Sequence, residues 1–206
     1  MGIVERKHKQ KEDLRRQILD ASLQLFIDTG FENVTIRKIA DLIEYSPTTI
    51  YLYFKDKNEI LFNIHEMGFG KLLEYNVNLA GIANPLLRLH KMGENYLRFA
   101  LENPAFYDIM FLQTAPMQNI CEGDWENGNL AFDSLRSLIQ ECFDTGLIIK
   151  SNIDAAAYGI WGMVHGLASL AIKDRLKKMI EDEKDMHLML QESLNWIINT
   201  LDVNNK

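Results

Sequence analysis

Residues 35–57 of this 206-residue chain, TIRKIADLIEYSPTTIYLYFKDK, limit its possible folds more than any other stretch. Thr35 is a good N-cap because its hydroxyl can accept a hydrogen bond from an otherwise unpaired backbone N–H. Four apolar residues follow at the i, i+3, i+4 and i+7 spacing of one helix face. They are Ile36, Ile39, Ala40 and Ile43. The pattern predicts a short amphipathic helix that starts after Thr35.

A second short helix is predicted directly after the first. Ser46 and Pro47 form a strong helix start, since serine caps the first turn and proline has no N–H to satisfy. Ile50 and Phe54 are four residues apart, so they can dock this second helix on its neighbour. Two short helices joined by a tight turn indicate a helix-turn-helix, although a plain helical hairpin fits the same pattern.

The outward face of the second helix has a chemistry suited to DNA. Small hydroxyls reach base edges, whereas tyrosine hydroxyls and lysines reach phosphates. We therefore expect Thr48 and Thr49 near bases and Tyr51, Tyr53 and Lys57 near phosphates. Thr35 is also expected near phosphate, and Arg37 near either phosphates or bases.

This stretch resembles the DNA-binding domain of the TetR family of transcriptional regulators. The family pattern T-[IV]-x-x-I-A followed by S-x-x-x-[IL]-Y-x-Y/H-F-x-x-K is met residue by residue. The resemblance implies an all-α DNA-binding regulator. The predicted DNA-binding residues are Thr35, Arg37, Ser46, Thr48, Thr49, Tyr51, Tyr53 and Lys57. The family usually has glycine in the turn, where this chain has Glu44 and Tyr45, so a non-glycine residue there must adopt positive φ or reshape the turn.

The net charge of −7 is unevenly distributed along the chain. Residues 1–58 contain 10 Lys and Arg against 9 Asp and Glu, and residues 59–206 contain 12 against 20. The acidity therefore lies after the helix-turn-helix, and phosphate repels that part of the molecule. This asymmetry favours residues 1–57 as a DNA-binding domain and residues 58–206 as a separate helical domain.

The segments on either side of the helix-turn-helix are also predicted to be helical or basic. Residues 1–13 are polar and basic and are interpreted as a flexible arm, either tracking phosphate or merely solvated, before a helix over residues 14–29 that stops at Gly30. Asp56 and Glu59 fit a capping box that opens a fourth helix running toward Leu79. That helix would link the DNA face to the second domain.

Residues 84–206 show further helical patterns and no strand pattern. Asn84-Pro85 and Asn103-Pro104 are typical helix starts. Residues 113–128 contain Pro116, Gly123 and Gly128 and predict a surface loop, with a lid over a pocket as one interpretation. Another helix is predicted to end at Gly146.

Residues 155–172 form 18 uncharged positions, long enough for a membrane span. Several small and weakly apolar residues and the absence of a basic flank argue against that alternative. A helix that is apolar all round can instead pack against its own domain and a second subunit. Together with the last helix, near residues 186–201, it predicts a four-helix dimer interface containing Gly162, Gly166, Trp196 and Ile197.

The sequence WGMVHG at residues 161–166 resembles the W-x-x-x-H-G signature of one class of TetR C-terminal domains. Trp161 and His165 lie on one helix face, where they line either a ligand cavity or an ordinary core. The predicted effector pocket consists of Tyr96, Phe99, Phe106, Met110, Trp161 and His165.

These observations favour a regulator over an enzyme. The two cysteines, Cys121 and Cys142, have no metal spacing, and no nucleophile has a base at local spacing. We therefore expect no cofactor, no metal and no membrane partner. The expected protein is a cytoplasmic homodimeric repressor that binds a palindromic operator and is released by a small apolar or aromatic ligand. The alternatives are an activator of the same family, or an all-α small-molecule-binding protein or enzyme with a vestigial helix-turn-helix.

Overall fold

The computed structural model of the chain describes residues 2–113, 125–180 and 182–205. Its α-helices are α1 (Ile3–Thr29), α2 (Ile36–Leu42), α3 (Pro47–Tyr51), α4 (Lys57–Tyr75), α5 (Pro85–Glu102), α6 (Pro104–Tyr107), α7 (Glu126–Asp144), α8 (Ile153–Ile172) and α9 (Glu183–Leu201). Asp108–Leu112 forms a π-helical turn directly after α6. The described ranges contain no β-strand, and a single antiparallel bridge joins Ile148 and Asp202. The all-α prediction is confirmed.

The chain divides into two compact units. Unit 1 comprises Met1–Gly68 and Asp108–Trp125, and unit 2 comprises Phe69–Tyr107 and Glu126–Lys206. Helix α4 supplies residues to both units, because the division falls after Gly68. The chain passes between the units again after Tyr107 and after Trp125.

In unit 1, α1 packs on α2 and α2 packs on α3. The core consists of apolar residues from α1, α2, α3 and α4 that are almost inaccessible to solvent. They include Ile18, Val34, Ile39, Ala40, Ile50, Phe54, Ile60, Leu61 and Ile64. Ile50 and Phe54 are 0% and 1% exposed, which confirms that they dock the second helix of the motif.

In unit 2, α5 contacts α7, α8 and α9 and forms the centre of the bundle. Gly93 allows α5 and α9 to approach closely, since a Cβ atom there would lie 2.8 Å from Leu194 Cδ1. Asn95 is 5% exposed, and its side-chain amide donates to the carbonyl oxygen of Tyr75 at 2.8 Å. The last residue of α4 is therefore held by α5.

Three predicted boundaries are wrong. Helix α1 begins at Ile3, so residues 3–13 continue the helix rather than forming a flexible arm; their Glu, Arg, Lys and Gln residues are good helix formers that extend an anchored helix. Helix α4 ends at Tyr75 and a 3₁₀ turn, Val77–Gly81, follows it. Helix α7 begins at Glu126, inside the predicted loop over residues 113–128. Residues 114–124 of that loop, with the lid interpretation, lie outside the described residues.

Candidate DNA-binding and effector sites

Two side-chain caps position the helix-turn-helix in unit 1. Thr35 Oγ1 accepts a hydrogen bond from Lys38 N at 3.2 Å, and Ser46 Oγ accepts one from Thr49 N at 3.2 Å. Pro47 occupies the first turn of α3. Both predicted helix starts are confirmed.

The turn between α2 and α3 contains a residue with positive φ. Glu44 adopts φ 59°, and Tyr45 N donates to Ala40 O at 3.0 Å. The turn is therefore not reshaped to avoid the left-handed region, and Glu44 bears a conformational cost of about 1 kcal/mol that glycine would not.

The side chains predicted to contact DNA differ in exposure. Thr35, Arg37, Ser46, Thr48 and Tyr51 are exposed, whereas Thr49, Tyr53 and Lys57 are half-buried. Thr49 Oγ1 lies 3.0 Å from Ser46 Oγ, so the two hydroxyls share a hydrogen bond. Leu52, which directly follows α3, is 76% exposed. It is not among the predicted DNA contacts.

Lys57 has an intramolecular partner. Its Nζ atom donates to the carbonyl oxygen of Phe31 at 2.9 Å and lies 4.0 Å from the centroid of the Phe31 ring. A cation over an aromatic face is attracted by the ring quadrupole. The Lys57 ammonium therefore fixes the start of α4 to the turn that precedes α2.

At the start of α4, Asp56 Oδ1 accepts from Glu59 N at 2.9 Å, as the predicted capping box requires. The return bond differs by one residue, because Glu59 Oε2 accepts from Lys55 N rather than from the N-cap residue.

In unit 2, four of the ring side chains form a hydrogen-bonded cluster between α5, α6 and α8. Trp161 Nε1 donates to Tyr96 Oη at 3.1 Å, and Tyr96 Oη donates to Tyr107 Oη at 3.4 Å. Tyr107 Oη lies 2.6 Å from His165 Nδ1 and also 3.2 Å from His165 O. We call Tyr96, Tyr107, Trp161 and His165 the ring cluster.

Burial favours the neutral forms of the titratable side chains in the ring cluster. It raises the pKa of Tyr96 to about 12 and raises that of Tyr107 further, so both phenols remain protonated donors. It lowers the pKa of His165, which favours the neutral imidazole with Nδ1 as an acceptor. A chain of hydrogen bonds therefore runs from Trp161 through both tyrosines to His165.

The predicted pocket residues are only partly brought together. Tyr96, Trp161 and His165 belong to the ring cluster, and Tyr107, which the prediction omitted, completes it. Phe99 is fully buried and packs edge-on against Tyr75, and Lys71 Nζ lies 5.6 Å from the centroid of Phe106. Met110 belongs to unit 1, where it is 4% exposed.

Unit 2 also has a groove of about 440 Å³ between α5 and α9. Its lining includes Lys91, Glu94, Arg98 and Gln191 above an apolar base. Lys91 Nζ is bonded to Glu94 Oε2 at 2.6 Å, and the Arg98 guanidinium lies 4.8 Å from the centroid of the Tyr75 ring. The charged groups of this groove thus already have partners within the unit.

Comparison with known protein families decides the class of this protein. The family model described as "Tetracyclin repressor-like, C-terminal domain" matches residues 89–193, about half of the chain, and "Bacterial regulatory proteins, tetR family" matches residues 18–64. The chain belongs to the TetR family of transcriptional regulators. TetR-family proteins are DNA-binding regulators rather than enzymes, so the enzyme alternative is set aside.

Individual relatives of this TetR-family chain resemble it in sequence or in fold. The fatty acid metabolism regulator protein of Bacillus subtilis is 35% identical over 66 residues, which is 32% of this chain and 34% of that protein. This chain thus spans about a third of that relative's length. A TetR-family transcriptional regulator from Syntrophomonas wolfei superposes with a TM-score of 0.71 at 20% identity, covering 94% of this chain and 98% of that one. The fatty acid degradation regulator FadR from Bacillus halodurans gives a TM-score of 0.70 at 16% identity, with 89% and 94% covered.

Helices α8 and α9 of the TetR-family chain each have a buried face and an exposed apolar face. Helix α8 has the length and the mean hydropathy, 1.4, of a membrane-crossing helix, yet Ala157, Ile160, Val164, Ala168 and Ala171 bury one of its faces in unit 2. Its other face exposes Tyr158 and Met163, and a Cβ atom at Gly159, Gly162 or Gly166 would meet nothing within 4 Å. On α9, Leu188, Met189 and Trp196 are exposed. Ile197, predicted beside Trp196 at an interface, is 5% exposed and lies in the core of its own unit.

A buried histidine in unit 1 was missed by sequence reasoning. His65 of α4 is fully buried, accepts a hydrogen bond from Trp125 Nε1 at 2.9 Å and interacts with the backbone of Ile109. It therefore ties α4 to the segment that follows α6. Its partners lie 44 and 60 residues away in sequence, so no local pattern could have revealed them.

No cluster of three potential metal ligands occurs among the described residues. Cys142 is buried, and burial raises the pKa of its thiol to about 11, which makes it a poor nucleophile. Cys121 lies outside the described residues.

Proposed function

We propose that this TetR-family protein is a homodimeric one-component repressor that binds a palindromic operator and releases it when an apolar or aromatic, uncharged ligand binds residues 58–206. Residues 1–57 are the proposed DNA-binding domain. The observation that carries the proposal is the exposed hydroxyl face of α3 above a fully buried docking face of Ile50 and Phe54. A short helix held in this way can enter the major groove with its first turn.

The proposed DNA contacts fall into two groups. Thr48 and Thr49 reach base edges, which carry sequence information, and Arg37 reaches either bases or phosphates. The others bind the backbone and fix the register of the protein on the duplex. They are Thr35, Tyr51, Tyr53 and Lys57, with Ser46 at the start of α3.

Dimerisation is supported by the exposed apolar faces of α8 and α9. Glycine inside a helix costs about 1 kcal/mol relative to alanine, and nothing within the protomer requires it at Gly162 or Gly166. A second copy of α8 that approaches closely would require these small residues. Trp196 supplies a large apolar side chain of the kind that anchors an interface. A dimer is also needed because one short recognition helix offers too few contacts for specific affinity.

The ring cluster is the proposed effector site. Its polar groups bond to one another, so a ligand must displace at least one of these bonds to enter. Tyr107 is bonded to His165 and is followed directly by the π-helical turn, whose Ile109 interacts with His65 of α4. Displacement of Tyr107 would therefore move Ile109, two residues later in the chain, and through it His65 of α4.

Helix α4 is the proposed lever between effector and operator. It begins at Lys57, next to the recognition helix, and continues into unit 2. A ligand releases the operator only if it prefers the conformation in which the two recognition helices are wrongly spaced. Operator binding must then weaken ligand binding by the same factor.

The experiment that tests this function is equilibrium binding of the full chain to DNA from the region upstream of its own gene. The proposal is supported by binding that is specific against random competitor DNA and whose affinity rises as the salt concentration falls. Specific binding that raises transcription of that promoter in a reconstituted assay would support the activator alternative instead. An absence of specific binding at every salt concentration contradicts the operator assignment.

A further inference from the structure

Leu52 is the most exposed large apolar residue of the helix-turn-helix. It is 76% exposed, compared with 56% for Tyr51, 52% for Leu42 and 45% for Tyr45. Leu52 caps the C-terminus of α3 with helical dihedral angles, φ −74° and ψ −15°, so its side chain continues the helical pattern.

The position of Leu52 on α3 is set by helix geometry. Residues four apart share a helix face, so Leu52 lies one turn beyond Thr48. Thr48 is also exposed, whereas Ile50 and Phe54 occupy the buried side of the same segment. The outward face of α3 therefore has a hydroxyl in its first turn and a branched apolar group at its end.

The chemistry of leucine restricts what this face can contact on DNA. The leucine side chain has no hydrogen-bonding group, so it cannot bind phosphate or the polar edge of a base. The one apolar group that a base pair displays in the major groove is the C5-methyl group of thymine. Continuity with the proposed base-reading residue Thr48 places Leu52 on the part of the surface that would face the groove.

We propose that Leu52 is a specificity-determining residue that reads thymine through its C5-methyl group, once in each half-site. This inference rests on the proposed function, because it requires α3 to enter the major groove. Exposing one buried apolar carbon to water changes a dissociation constant by about fourfold. Removal of the methyl group should therefore weaken binding by that factor for each half-site.

The test compares thymine with uracil, which differ only by this methyl group. Operator duplexes with each symmetric pair of thymines replaced by deoxyuridine are titrated with wild-type protein and with Leu52→Ala. Leu42→Ala is the matched control, since Leu42 is an exposed leucine on α2 rather than α3. Because Leu52 is exposed, its truncation should leave the helical circular dichroism signal and the melting temperature unchanged.

The expected result is one symmetric position at which uracil weakens the wild type and Leu42→Ala but not Leu52→Ala. If Leu52→Ala keeps the full uracil sensitivity, or if the wild type is insensitive at every thymine, the inference is wrong while the operator assignment stands. If the wild type binds no unmodified operator, the proposed function fails together with this inference.

Discussion

Trp125 Nε1 donates a hydrogen bond to His65 Nε2 at 2.9 Å, and His65 is fully buried within unit 1. Burial lowers the pKa of His65 to about 4, so the ring is neutral near pH 7 and can accept this bond. The contact joins α4 to the end of the segment that precedes α7. Protonation of His65 would remove the acceptor and leave a charge in the core.

We therefore predict a loss of stability in acid that His65 accounts for. Between about pH 6.5, where an unfolded histidine titrates, and pH 4, the unfolded chain binds one proton more than the folded chain at this position. The free energy of unfolding should fall as the pH drops through this window, by at most about 1.4 kcal/mol per pH unit.

Urea denaturation at several pH values measures this effect. His65→Gln retains an acceptor without a titrating group and should flatten the slope between pH 6.5 and 4. His187→Gln, at an exposed histidine of α9, is the control and should leave the slope unchanged. Equal slopes for His65→Gln and wild type would show that folding does not lower the pKa of His65.

The dimer interface is tested by introducing charge on the exposed face of α9. Trp196 is 67% exposed in the protomer, so Trp196→Glu should fold and sediment as a monomer. Leu87→Glu is the matched control, because Leu87 is 57% exposed on α5 and lies outside the proposed interface. A Trp196→Glu protein that sediments as a dimer would exclude this face of α9 from the dimer interface.

Ile197→Glu should instead prevent folding, since it places a charge in the core.

Gly162 offers an independent test of the same interface. In an isolated protomer Gly162→Ala should stabilise α8, by up to about 1 kcal/mol, because a Cβ atom there meets nothing within 4 Å. In a dimer with closely packed α8 helices the same methyl group should raise the dimer dissociation constant. Tighter dimerisation of Gly162→Ala would contradict close packing at this position.

Lys57 and Thr49 are predicted to act differently on DNA. Lys57→Ala should weaken binding to all sequences alike and make the salt dependence shallower by about one ion, whereas Thr49 substitutions should change sequence preference. Lys150→Ala, an exposed lysine of unit 2, is the charge-matched control. An unchanged salt slope combined with a lower melting temperature would mean that Lys57 acts only through its bond to Phe31 O.

The helix starts of the DNA-binding motif could be predicted because they depend on adjacent residues. Thr35, Ser46 and Pro47 satisfy or remove N–H groups within three positions, and the structure confirms both caps. The end of α4 could not be predicted in this way. The carbonyl oxygen of its last residue, Tyr75, accepts a hydrogen bond from Asn95, 20 residues away. The start of α1 was missed for another reason: residues 4–13 have high helix propensity but are all exposed, so they lack an apolar period.

The candidate effector site also contains some residues that local spacing predicts and others that depend on distant contacts. Trp161 and His165 share a face of α8, so their spacing predicts that they lie close together, and Tyr96 was proposed from its place on α5. Tyr107 was missed because its role depends on a contact with His165, 58 residues later. Phe99 was assigned to the pocket from its helix position, but its ring packs against Tyr75.

The effector assignment is tested through Trp161 in a Trp125→Phe, Trp196→Phe background. Naphthalene, an uncharged aromatic probe, should change Trp161 fluorescence and lower operator affinity. In the otherwise wild-type chain, Trp161→Ala should weaken naphthalene binding, followed by calorimetry, and leave operator binding intact. Phe132→Ala is a control for loss of aromatic packing alone, because Phe132 contacts Trp161 without a polar group. If naphthalene binds and operator affinity does not change, the proposed release mechanism is wrong for this class of ligand.

Selection of bound sequences from random DNA by residues 1–206 tests directly whether the protein reads a palindrome as a dimer. We expect enrichment of a two-fold symmetric site whose half-sites are separated by about one helical turn of DNA or a multiple of it. Selection with a Thr49 variant should change bases within the half-sites and keep their spacing. Enrichment of an asymmetric site, or of no site at all, would contradict a dimeric repressor that reads a palindrome through α3.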